Sequence, residues 1–269
     1  MSKHKERLDR LLLERGLAPS RSKSQAIIMA GEVLVEGLAV TKSGQMVPKD
    51  ATIEIIAPPP YVSRGGYKLE AALEDFGIAI SGIVCADVGA CTGGFTDVML
   101  QRNAARVYAI DVGYGQLDWK LRQDSRVIIM ERTNARYLES LPEKVNFVAI
   151  DVSFISLKLI LPAVQGWLTR ESDIVALIKP QFEAGRKNVR KGGIVRDSNV
   201  HRQVLEDMLN WSAANDFAPL GLIRSPITGS GGNIEFLVHL KQGGVAPVSA
   251  EMLINDVGLD IILDEGEPH

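Results

Sequence analysis

Cysteine, histidine and long apolar runs are all scarce in this chain of 269 residues. Its two cysteines, Cys85 and Cys91, cannot staple a protein of this length, which excludes a disulfide scaffold and leads us to expect the reducing cytoplasm. No run free of Asp, Glu, Lys and Arg exceeds eleven residues. A membrane-spanning helix needs roughly 20 apolar residues, so we expect no membrane span. The basic N-terminal segment lacks the apolar centre of a secretory signal, and we expect no such signal.

Potential metal ligands are few and scattered. The four histidines lie far apart along the chain, at His4, His201, His239 and His269. The two cysteines lack the spacing of a zinc site, so we predict no metal. Hydrophobic residues nevertheless make up 46% of the chain and charged residues 23%, so a sizeable core can form. This composition excludes a disordered or fibrous class.

Positive charge is concentrated in the N-terminal segment, although the net charge is −3. Residues 1–25 hold seven Lys or Arg and three acids, whereas residues 241–269 hold one Lys and six acids. A basic segment favours a polyanionic partner, and phosphate-bearing molecules are the commonest of these. A solvated helix face is the alternative that charge alone leaves open.

The chain divides at three consecutive prolines, Pro58–Pro60, which suit a stiff extended linker because each lacks an N–H donor. Residues 1–57 show two helical patterns followed by short strands, which predict a small α+β domain. We assign residues 58–63 to the linker, 64–241 to the main domain and 242–269 to an acidic tail that can form a short packed helix.

Helical and strand patterns alternate through the main domain. Continuous apolar runs separated by helices are typical of a parallel sheet covered on both faces, so we predict an α/β fold. Polar residues end several predicted strands, at Asp87, Asp111, Asp151 and Lys179. Ligands on such sheets bind beyond the carboxyl ends of the strands, so these four residues mark the expected site. The pattern also predicts a helix over 157–168 and another over 198–215 that Ser198 caps.

A glycine-rich segment joins the first strand of this sheet to a helix. It reads Asp87-Val88-Gly89-Ala90-Cys91-Thr92-Gly93-Gly94-Phe95. Glycine lets the backbone approach a ligand closely. Cys91, however, stands where the dinucleotide fingerprint needs its second glycine, which disfavours NAD.

The variant turn suits a cofactor with an amino-acid part and a ribose but no pyrophosphate, such as S-adenosylmethionine. Asp111 lies about twenty residues after the turn, where an acid can accept both ribose hydroxyls. The alternative is a plain strand–helix turn with a capping aspartate. The candidate cofactor-binding residues are Asp87, Gly89, Cys91, Gly93, Gly94, Phe95, Thr96 and Asp111.

Two lysines and two carboxylates are the candidate catalytic groups, namely Lys68, Asp151, Lys179 and Glu235. Lysine is rarely placed at an apolar strand end without a partner, so we expect the four side chains to converge and compensate one another's charge. Free lysine has a pKa of about 10.4, which burial or a second cation lowers and carboxylates raise. A lysine with a pKa adjusted in this way could take up a hydroxyl proton. Taken singly, each residue could instead form a surface salt bridge or a strand-end cap.

Several segments in order resemble a known family. They are Arg64-Gly65-Gly66-Tyr67-Lys68-Leu69, the glycine turn extended to Asp97, Asp151-Val152-Ser153-Phe154-Ile155-Ser156-Leu157, Lys179-Pro180-Gln181-Phe182-Glu183 and Gly232-Asn233-Ile234-Glu235-Phe236. The main domain resembles the FtsJ-type class I RNA 2′-O-methyltransferases, which depend on S-adenosylmethionine. The chain over roughly residues 5–241 resembles their TlyA subfamily, whose members carry an S4-like RNA-binding domain and have also been called haemolysins.

The resemblance implies a Rossmann-like, mostly parallel seven-stranded sheet and the family's Lys-Asp-Lys-Glu tetrad. Lys179 would then be the general base or would orient the hydroxyl. Lys68, Asp151 and Glu235 would position the ribose and set the pKa of Lys179. The resemblance also implies that Gly89, Gly93 and Asp111 hold the cofactor, and that Asn134 contacts its adenine. The implied substrates are cytidine riboses in ribosomal RNA or ribosomal subunits.

The RNA is expected to be held through phosphates by basic side chains. In the small domain and at the start of the main domain these are Arg7, Arg21, Lys23 and Arg64, and after Lys179 they are Arg186, Lys187, Arg190 and Lys191. A mobile solvated loop is the alternative for the last four. We expect a monomer. Three other functions remain open: a base or small-molecule methyltransferase, a membrane-active haemolysin, and a ribosome assembly factor with an inactive enzyme domain.

Overall fold

The computed structural model describes residues 5–29, 31–56, 59–189 and 192–259, with Arg186 described by its backbone alone. The chain forms two compact units, Met1–Pro60 and Tyr61–His269. The small unit contains five short strands and two helices in the part described. They are β1 (Lys5–Arg7), α1 (Leu8–Glu14), α2 (Arg21–Met29), β2 (Val33–Val35), β3 (Leu38–Ala39), β4 (Met46–Pro48) and β5 (Ile53–Ile55).

The core of the small unit follows from its helical spacing. Leu8, Leu11 and Leu12 lie one turn apart on α1, and all three are buried. β1 pairs with β4, and β2 lies between β3 and β5, all antiparallel. Glu36 and Gly37, both with positive φ, make the tight turn between β2 and β3. The apolar stripe and the turn together give this small unit its own core.

The large unit contains the main sheet and its covering helices. Its elements are α3 (Gly65–Asp75), β6 (Val84–Val88), α4 (Gly94–Gln101), β7 (Arg106–Ile110), α5 (Trp119–Arg122), β8 (Val127–Met130), β9 (Val145–Ile150), α6 (Leu161–Gln165), β10 (Leu168–Ile178), α7 (Pro180–Glu183), α8 (Ser198–Ala214), β11 (Phe217–Arg224), β12 (Phe236–Gln242) and α9 (Ala250–Asp256). The last of these is the short packed helix expected in the acidic tail, and its Leu253 and Ile254 are buried.

The main sheet has seven strands in the order β11-β12-β10-β9-β6-β7-β8. The five strands from β10 to β8 are parallel, and β12 runs antiparallel to both β10 and β11. This mostly parallel α/β sheet confirms the predicted fold class. The strand order reverses between β6 and β9, and the crevice beyond the carboxyl ends of those strands is where such sheets bind ligands.

Both faces of the sheet are covered, because successive side chains of each strand point to opposite sides. Cys85 of β6 packs with Leu69 and Phe95, from α3 and α4, on one face. Ala86 and Val88 belong to the core of the other face, which also includes residues of α6, α8 and α9. The sheet is therefore rigid on both sides, which fixes the positions of the loops at its carboxyl edge.

Two local predictions are wrong. Residues 157–168 do not form one helix: a 3₁₀ turn at Leu157–Leu159 is followed by α6, and Leu168 already begins β10. Helix α6 ends before Gly166. The buried Trp167 that follows donates its indole N–H to the carbonyl of Leu138 at 2.9 Å, a contact outside the helix. Helix α8 is capped by Asp197, whose carboxylate accepts from the Asn199 N–H at 2.9 Å, and not by Ser198. None of the described helices is long and apolar enough to cross a membrane.

Candidate active site

The glycine turn after β6 has no room for side chains at two positions. Gly89 has φ of +87°, and a Cβ there would overlap the carbonyl oxygen of Asp151 at the end of β9. Gly93 has φ of +95°, and a Cβ there would overlap Leu121 of α5. Both the left-handed backbone and the close approach require glycine. The turn is therefore packed tightly against the neighbouring strand end and can hold a fixed shape.

Asp87 is fully buried at the end of β6, and its two carboxylate oxygens differ in their hydrogen bonding. Its Oδ2 accepts from the backbone N–H of Thr96 at 2.9 Å and from the Thr96 hydroxyl at 2.6 Å. Its Oδ1 is buried and has no hydrogen-bond partner among the described residues. Burial raises the pKa of Asp87 to about 7, against the opposing effect of the Thr96 hydroxyl.

Asp111 follows β7 and is oriented by the backbone. Its Oδ2 accepts from the Cys91 N–H at 2.8 Å, and its Oδ1 accepts from the Gly113 N–H at 2.6 Å. A carboxylate oxygen can accept more than one hydrogen bond, so both oxygens keep acceptor capacity for a ligand. The contact of Asp111 with ribose hydroxyls remains a prediction, but the carboxylate is already fixed beside the glycine turn.

A cleft of about 370 Å³ lies along the carboxyl ends of β6, β7 and β9. We call it the apolar cleft, because Val88, Ile110, Val112 and Ile155 are among the residues that line it. Polar groups from Asp111 and Asn134 also line it. Asn134 caps the 3₁₀ turn after β8, where its side-chain oxygen accepts from the Arg136 N–H at 3.0 Å.

A second cavity, of about 530 Å³, contains all four predicted catalytic residues, and we call it the lysine cavity. Lys68 of α3 and Glu235, which directly precedes β12, form an ion pair with 2.5 Å between Nζ and Oε2. Lys179 and Asp151, at the ends of β10 and β9, form another with 2.6 Å between Nζ and Oδ1. The side chains that converge here come from four separate parts of the large unit.

Three of the four side chains in these ion pairs are buried, whereas the side chain of Asp151 is 23% exposed. Lys68 is 8% exposed, Lys179 9% and Glu235 3%. Removing one member of such a pair would leave a buried charge without compensation, which is strongly destabilising, whereas the intact pair is near neutral in free energy. Stability alone therefore does not account for two buried lysines facing one cavity.

The two cavities share a wall, which includes Gly89, Cys91, Asp151 and Ser153. Of these, sequence reasoning missed Ser153, whose hydroxyl accepts a hydrogen bond from Lys179 Nζ at 2.9 Å. It also missed Gly229, where a Cβ would overlap the Glu235 carboxylate. The signal for Gly229 was the glycine-rich run before Glu235, but a serine two residues after an aspartate carries no distinctive pattern.

An exposed phenylalanine also escaped the sequence patterns. Phe154 is 90% exposed, has φ of +63° and packs against Phe182 with 4.9 Å between ring centroids. It lines the apolar cleft. The left-handed conformation of a bulky residue is unusual and marks a sharp turn directly after Ser153.

The other predicted cofactor residues differ in how they reach the cavities. Gly94 and Phe95 line the lysine cavity, and a Cβ on Gly94 would overlap the Ser63 hydroxyl. Thr96 is fully buried and lines neither cavity, because its hydroxyl is bound to Asp87. Thr96 therefore helps to orient Asp87, and its own contact with a cofactor stays a prediction. Among the described residues, no group of three or more His, Cys, Asp or Glu side chains could hold a metal.

The predicted RNA-contacting residues of the large unit lie in different settings. Arg64 is exposed and lines the lysine cavity, and Lys187 is exposed in the loop after α7. The backbone of Arg186 lies in the same short 3₁₀ turn. Arg190 and Lys191 lie outside the described residues.

The predicted RNA-contacting residues of the small unit include two arginines that converge on one buried carboxylate. Arg7 donates to Asp9 through Nε at 3.0 Å and Nη2 at 2.9 Å, and Arg21 donates through Nε at 3.0 Å. These guanidinium groups hold the pKa of Asp9 well below its usual range. Lys23 is exposed on α2. Asp9 thus fixes two partly exposed arginines at one place on the small unit.

Two protein-family models match this chain. The FtsJ-like methyltransferase model matches residues 61–242, and the S4 domain model matches residues 6–53. The first match covers the main sheet and every residue of the lysine cavity. The second covers most of the small unit.

Similar proteins extend over nearly the whole chain. YqxC of Bacillus subtilis, provisionally named an rRNA methyltransferase, is 50% identical over 259 residues, or 94% of this chain and 91% of that protein. The 16S/23S rRNA (cytidine-2′-O)-methyltransferase TlyA of Mycobacterium tuberculosis is 42% identical over 92% of this chain and 94% of its own. A solved structure from Streptococcus thermophilus, provisionally named a hemolysin, is 42% identical and covers 99% of this chain and 100% of its own, with a TM-score of 0.73.

Proposed function

We infer the function from one premise: this chain belongs to the FtsJ-like methyltransferase family and also carries an S4 domain. It is an S-adenosylmethionine-dependent methyltransferase by family and by fold. We propose that it methylates the 2′-hydroxyl of a cytidine ribose in ribosomal RNA. The observation that carries this proposal is the lysine cavity, in which two buried lysines, each paired with a carboxylate, face a space that adjoins the apolar cleft.

The residues present fit S-adenosylmethionine. Asp87 Oδ1 is buried without a hydrogen-bond partner among the described residues and belongs to a residue that lines the lysine cavity. An unpaired buried acceptor is costly, and the ammonium group of the cofactor's amino-acid part would satisfy it. We assign the ribose hydroxyls to Asp111 and the adenine to the apolar cleft beside Asn134. The bound cofactor supplies an electrophilic methyl group on a sulfonium.

Lys179 is the residue that we assign to the acceptor hydroxyl. An ammonium group has three N–H donors. Asp151 Oδ1 and Ser153 Oγ lie within 2.6 Å and 2.9 Å of Lys179 Nζ, which leaves a third direction for the substrate. In that direction the ammonium orients the 2′-hydroxyl oxygen, or the neutral amine, formed when Nζ first gives a proton to solvent, accepts the hydroxyl proton. Correct alignment of this oxygen supplies much of the rate in such a transfer.

The Lys68–Glu235 pair is assigned to the ribose and its surroundings. Glu235 can accept a hydrogen bond from a ribose hydroxyl, while Lys68 keeps that carboxylate compensated inside the cavity. Gly229 supports this arrangement, because a Cβ there would overlap the Glu235 carboxylate and displace it from its present position. Catalysis by this chain is thus assigned to positioning and proton transfer by its own side chains.

RNA binding is assigned to the basic side chains at two places. In the S4 domain, Arg7, Arg21 and Lys23 can contact phosphates, and Asp9 restricts the two arginines to fewer conformations. In the methyltransferase domain we assign the same role to Arg64, Lys187 and Arg186. A nucleotide within a helix must leave its base stack to reach the lysine cavity. We expect shape and backbone contacts, more than base edges, to select the RNA.

The first prediction concerns the position of the transferred methyl group. The purified protein is incubated with unmethylated ribosomal subunits and S-adenosylmethionine that carries a labelled methyl group, and the RNA is digested to nucleosides. We expect the label in 2′-O-methylcytidine by mass spectrometry. A label on a base nitrogen or carbon would contradict the proposal and favour a base methyltransferase. Leakage of liposomes at the same protein concentration, without RNA methylation, would favour a membrane-active haemolysin.

The second prediction uses Cys91 to map the cofactor site. Its thiol is exposed on the wall shared by both cavities, whereas Cys85 is buried and burial raises the pKa of its thiol to about 12. N-ethylmaleimide at pH 7 should therefore form one thioether, on Cys91, and the alkylated protein should lose affinity for S-adenosylmethionine. Saturating cofactor should slow the alkylation at least about tenfold, since RT ln(1 + [L]/Kd) favours the covered state.

Mass spectrometry of the alkylated protein provides the readout. Under denaturing conditions both thiols should react, which controls for reagent activity, and Cys91→Ser should remove the single adduct seen on the folded protein. An alkylation rate that is the same with and without cofactor would contradict the assignment of the shared wall to the cofactor.

A further inference from the structure

The hydrogen bonding of Lys179 is uneven across its two neighbours. Asp151 Oδ1 lies 2.6 Å from Nζ, a distance at which charge attraction dominates the contact. The hydrogen bond from Nζ goes to the Ser153 hydroxyl at 2.9 Å. Charge attraction is weakly directional, whereas a hydrogen bond prefers a D–H···A angle above about 150°. Ser153 therefore adds a directional contact to the ion pair between Lys179 and Asp151.

The position of Ser153 is fixed on its C-terminal side. Phe154 turns the chain sharply in the left-handed conformation. Glu183 of α7 then holds the following residues, because its carboxylate accepts from the Ser156 hydroxyl at 2.6 Å and from the Leu157 N–H at 2.8 Å. Burial raises the pKa of this carboxyl, although both hydrogen bonds oppose the change. One helix thus ties the segment that carries Ser153 to the strand end that carries Lys179.

Ser153 also lies where the two cavities meet. It lines both the apolar cleft and the lysine cavity, as do Gly89, Cys91 and Asp151. The other three predicted catalytic residues, Lys68, Lys179 and Glu235, line the lysine cavity but not the apolar cleft. A hydroxyl on the shared wall holds Lys179 Nζ next to the boundary between them. That boundary is the place where a methyl group would pass from one cavity to the other.

We propose that Ser153 is a positioning residue that aims the Lys179 ammonium at the acceptor hydroxyl. This inference rests on the proposed function. Ser153 does not exchange a proton with the substrate; it accepts a hydrogen bond from Lys179 and so reduces the orientations that the ammonium samples. The consequence is a contribution to the chemical step and not to the binding of either substrate.

Ser153→Ala is the variant that tests this role. We expect kcat to fall about 10- to 100-fold, as misplacement of a reacting group by about 1 Å can do. The KM for RNA and the affinity for S-adenosylmethionine should stay within about twofold. Ser153→Thr, which keeps the hydroxyl, should recover most of the rate. Ser156→Ala is the matched control, since it removes a hydroxyl that contacts Glu183 and not Lys179, while the Leu157 N–H still holds Glu183. It should lower the thermal midpoint and reduce kcat by less than about threefold.

The outcomes separate this inference from the proposed function. A kcat of Ser153→Ala within twofold of wild type, or a higher KM at unchanged kcat, would overturn the positioning role. An equal loss of kcat in Ser153→Thr would overturn it as well, because a retained hydroxyl would then not matter. The proposed function is tested by the labelling experiment with the wild-type protein, which shows whether the methyl group reaches a ribose. The Ser153 result is a ratio of variant to wild-type rates at whichever acceptor is methylated.

Discussion

Replacing Lys179 by alanine is expected to reduce kcat by about 10²- to 10⁴-fold, the range that a positioned acid–base group contributes. The change removes the ammonium that lies 2.6 Å from Asp151 Oδ1 and leaves the acceptor hydroxyl without its orienting group. The cofactor affinity should change much less, because Lys179 does not line the apolar cleft. Single-turnover methylation of ribosomal subunits measures the rate, and titration calorimetry measures the cofactor affinity.

A matched variant separates the effect of removing Lys179 from the site from the effect of removing a lysine elsewhere in the chain. Lys144 is exposed just before β9, at the opposite edge of the sheet, and donates a hydrogen bond to the Gly166 carbonyl. We expect Lys144→Ala to leave kcat within about twofold. A Lys179→Ala variant that methylates RNA at the wild-type rate would refute the role of Lys179. Lys179→Arg distinguishes its two suggested tasks, because arginine keeps the charge and donors but does not take up a proton.

Gly89→Ala is expected to have the largest effect on stability and to abolish cofactor binding. The left-handed backbone costs about 1–2 kcal/mol for a residue with a Cβ, and forcing an extra methyl group into packed surroundings costs about 1–3 kcal/mol. Both apply here, because φ is +87° and the Cβ would overlap the Asp151 carbonyl oxygen. The free energy of unfolding should fall by about 2–5 kcal/mol in denaturant titrations, with little change in the m-value.

Gly82→Ala provides the control for the backbone contribution. Gly82 also has a left-handed φ, of +75°, but a Cβ there would meet no atom within 4 Å. It should lose only about 1–2 kcal/mol and keep the affinity for S-adenosylmethionine. If the two glycine variants lost equal stability and both bound the cofactor, the close packing of the turn against Asp151 would not be what requires glycine at position 89.

The arrangement of the site was largely predictable from strand ends. Asp87, Asp111, Asp151 and Lys179 end parallel strands, and the carboxyl ends of such strands share an edge. Lys68 and Glu235 end no parallel strand, and they were predicted to converge there because two lysines and two carboxylates can compensate one another's charge, an expectation that the resemblance reinforced. The glycine turn was predictable because its glycines have a distinctive spacing. The structure was needed to show why glycine is required there, namely that a Cβ would overlap a neighbouring strand end or helix.

The parts that escaped prediction depend on long-range contacts. Ser153 carries no pattern of its own and gains its meaning from Lys179, 26 residues later in the chain. The helix predicted over 157–168 was wrong because Trp167 finds a partner in Leu138. Likewise, the charge of Arg7 and Arg21 was visible in the sequence, but their common attachment to Asp9 was not. Tertiary contacts decided each of these cases.

The reversed direction of β12 has a consequence for the order in which the protein matures during synthesis. β11 hydrogen-bonds to β12 alone, and β12 lies between β11 and β10, so neither can take its place in the sheet until residue 242 has been made. Because β12 runs antiparallel, its first residues reach the carboxyl edge and bring Glu235 to Lys68. A nascent chain that already contains Lys68, Asp151 and Lys179 therefore still lacks the carboxylate that pairs with Lys68. The lysine cavity is therefore complete only after β12 has been translated and inserted.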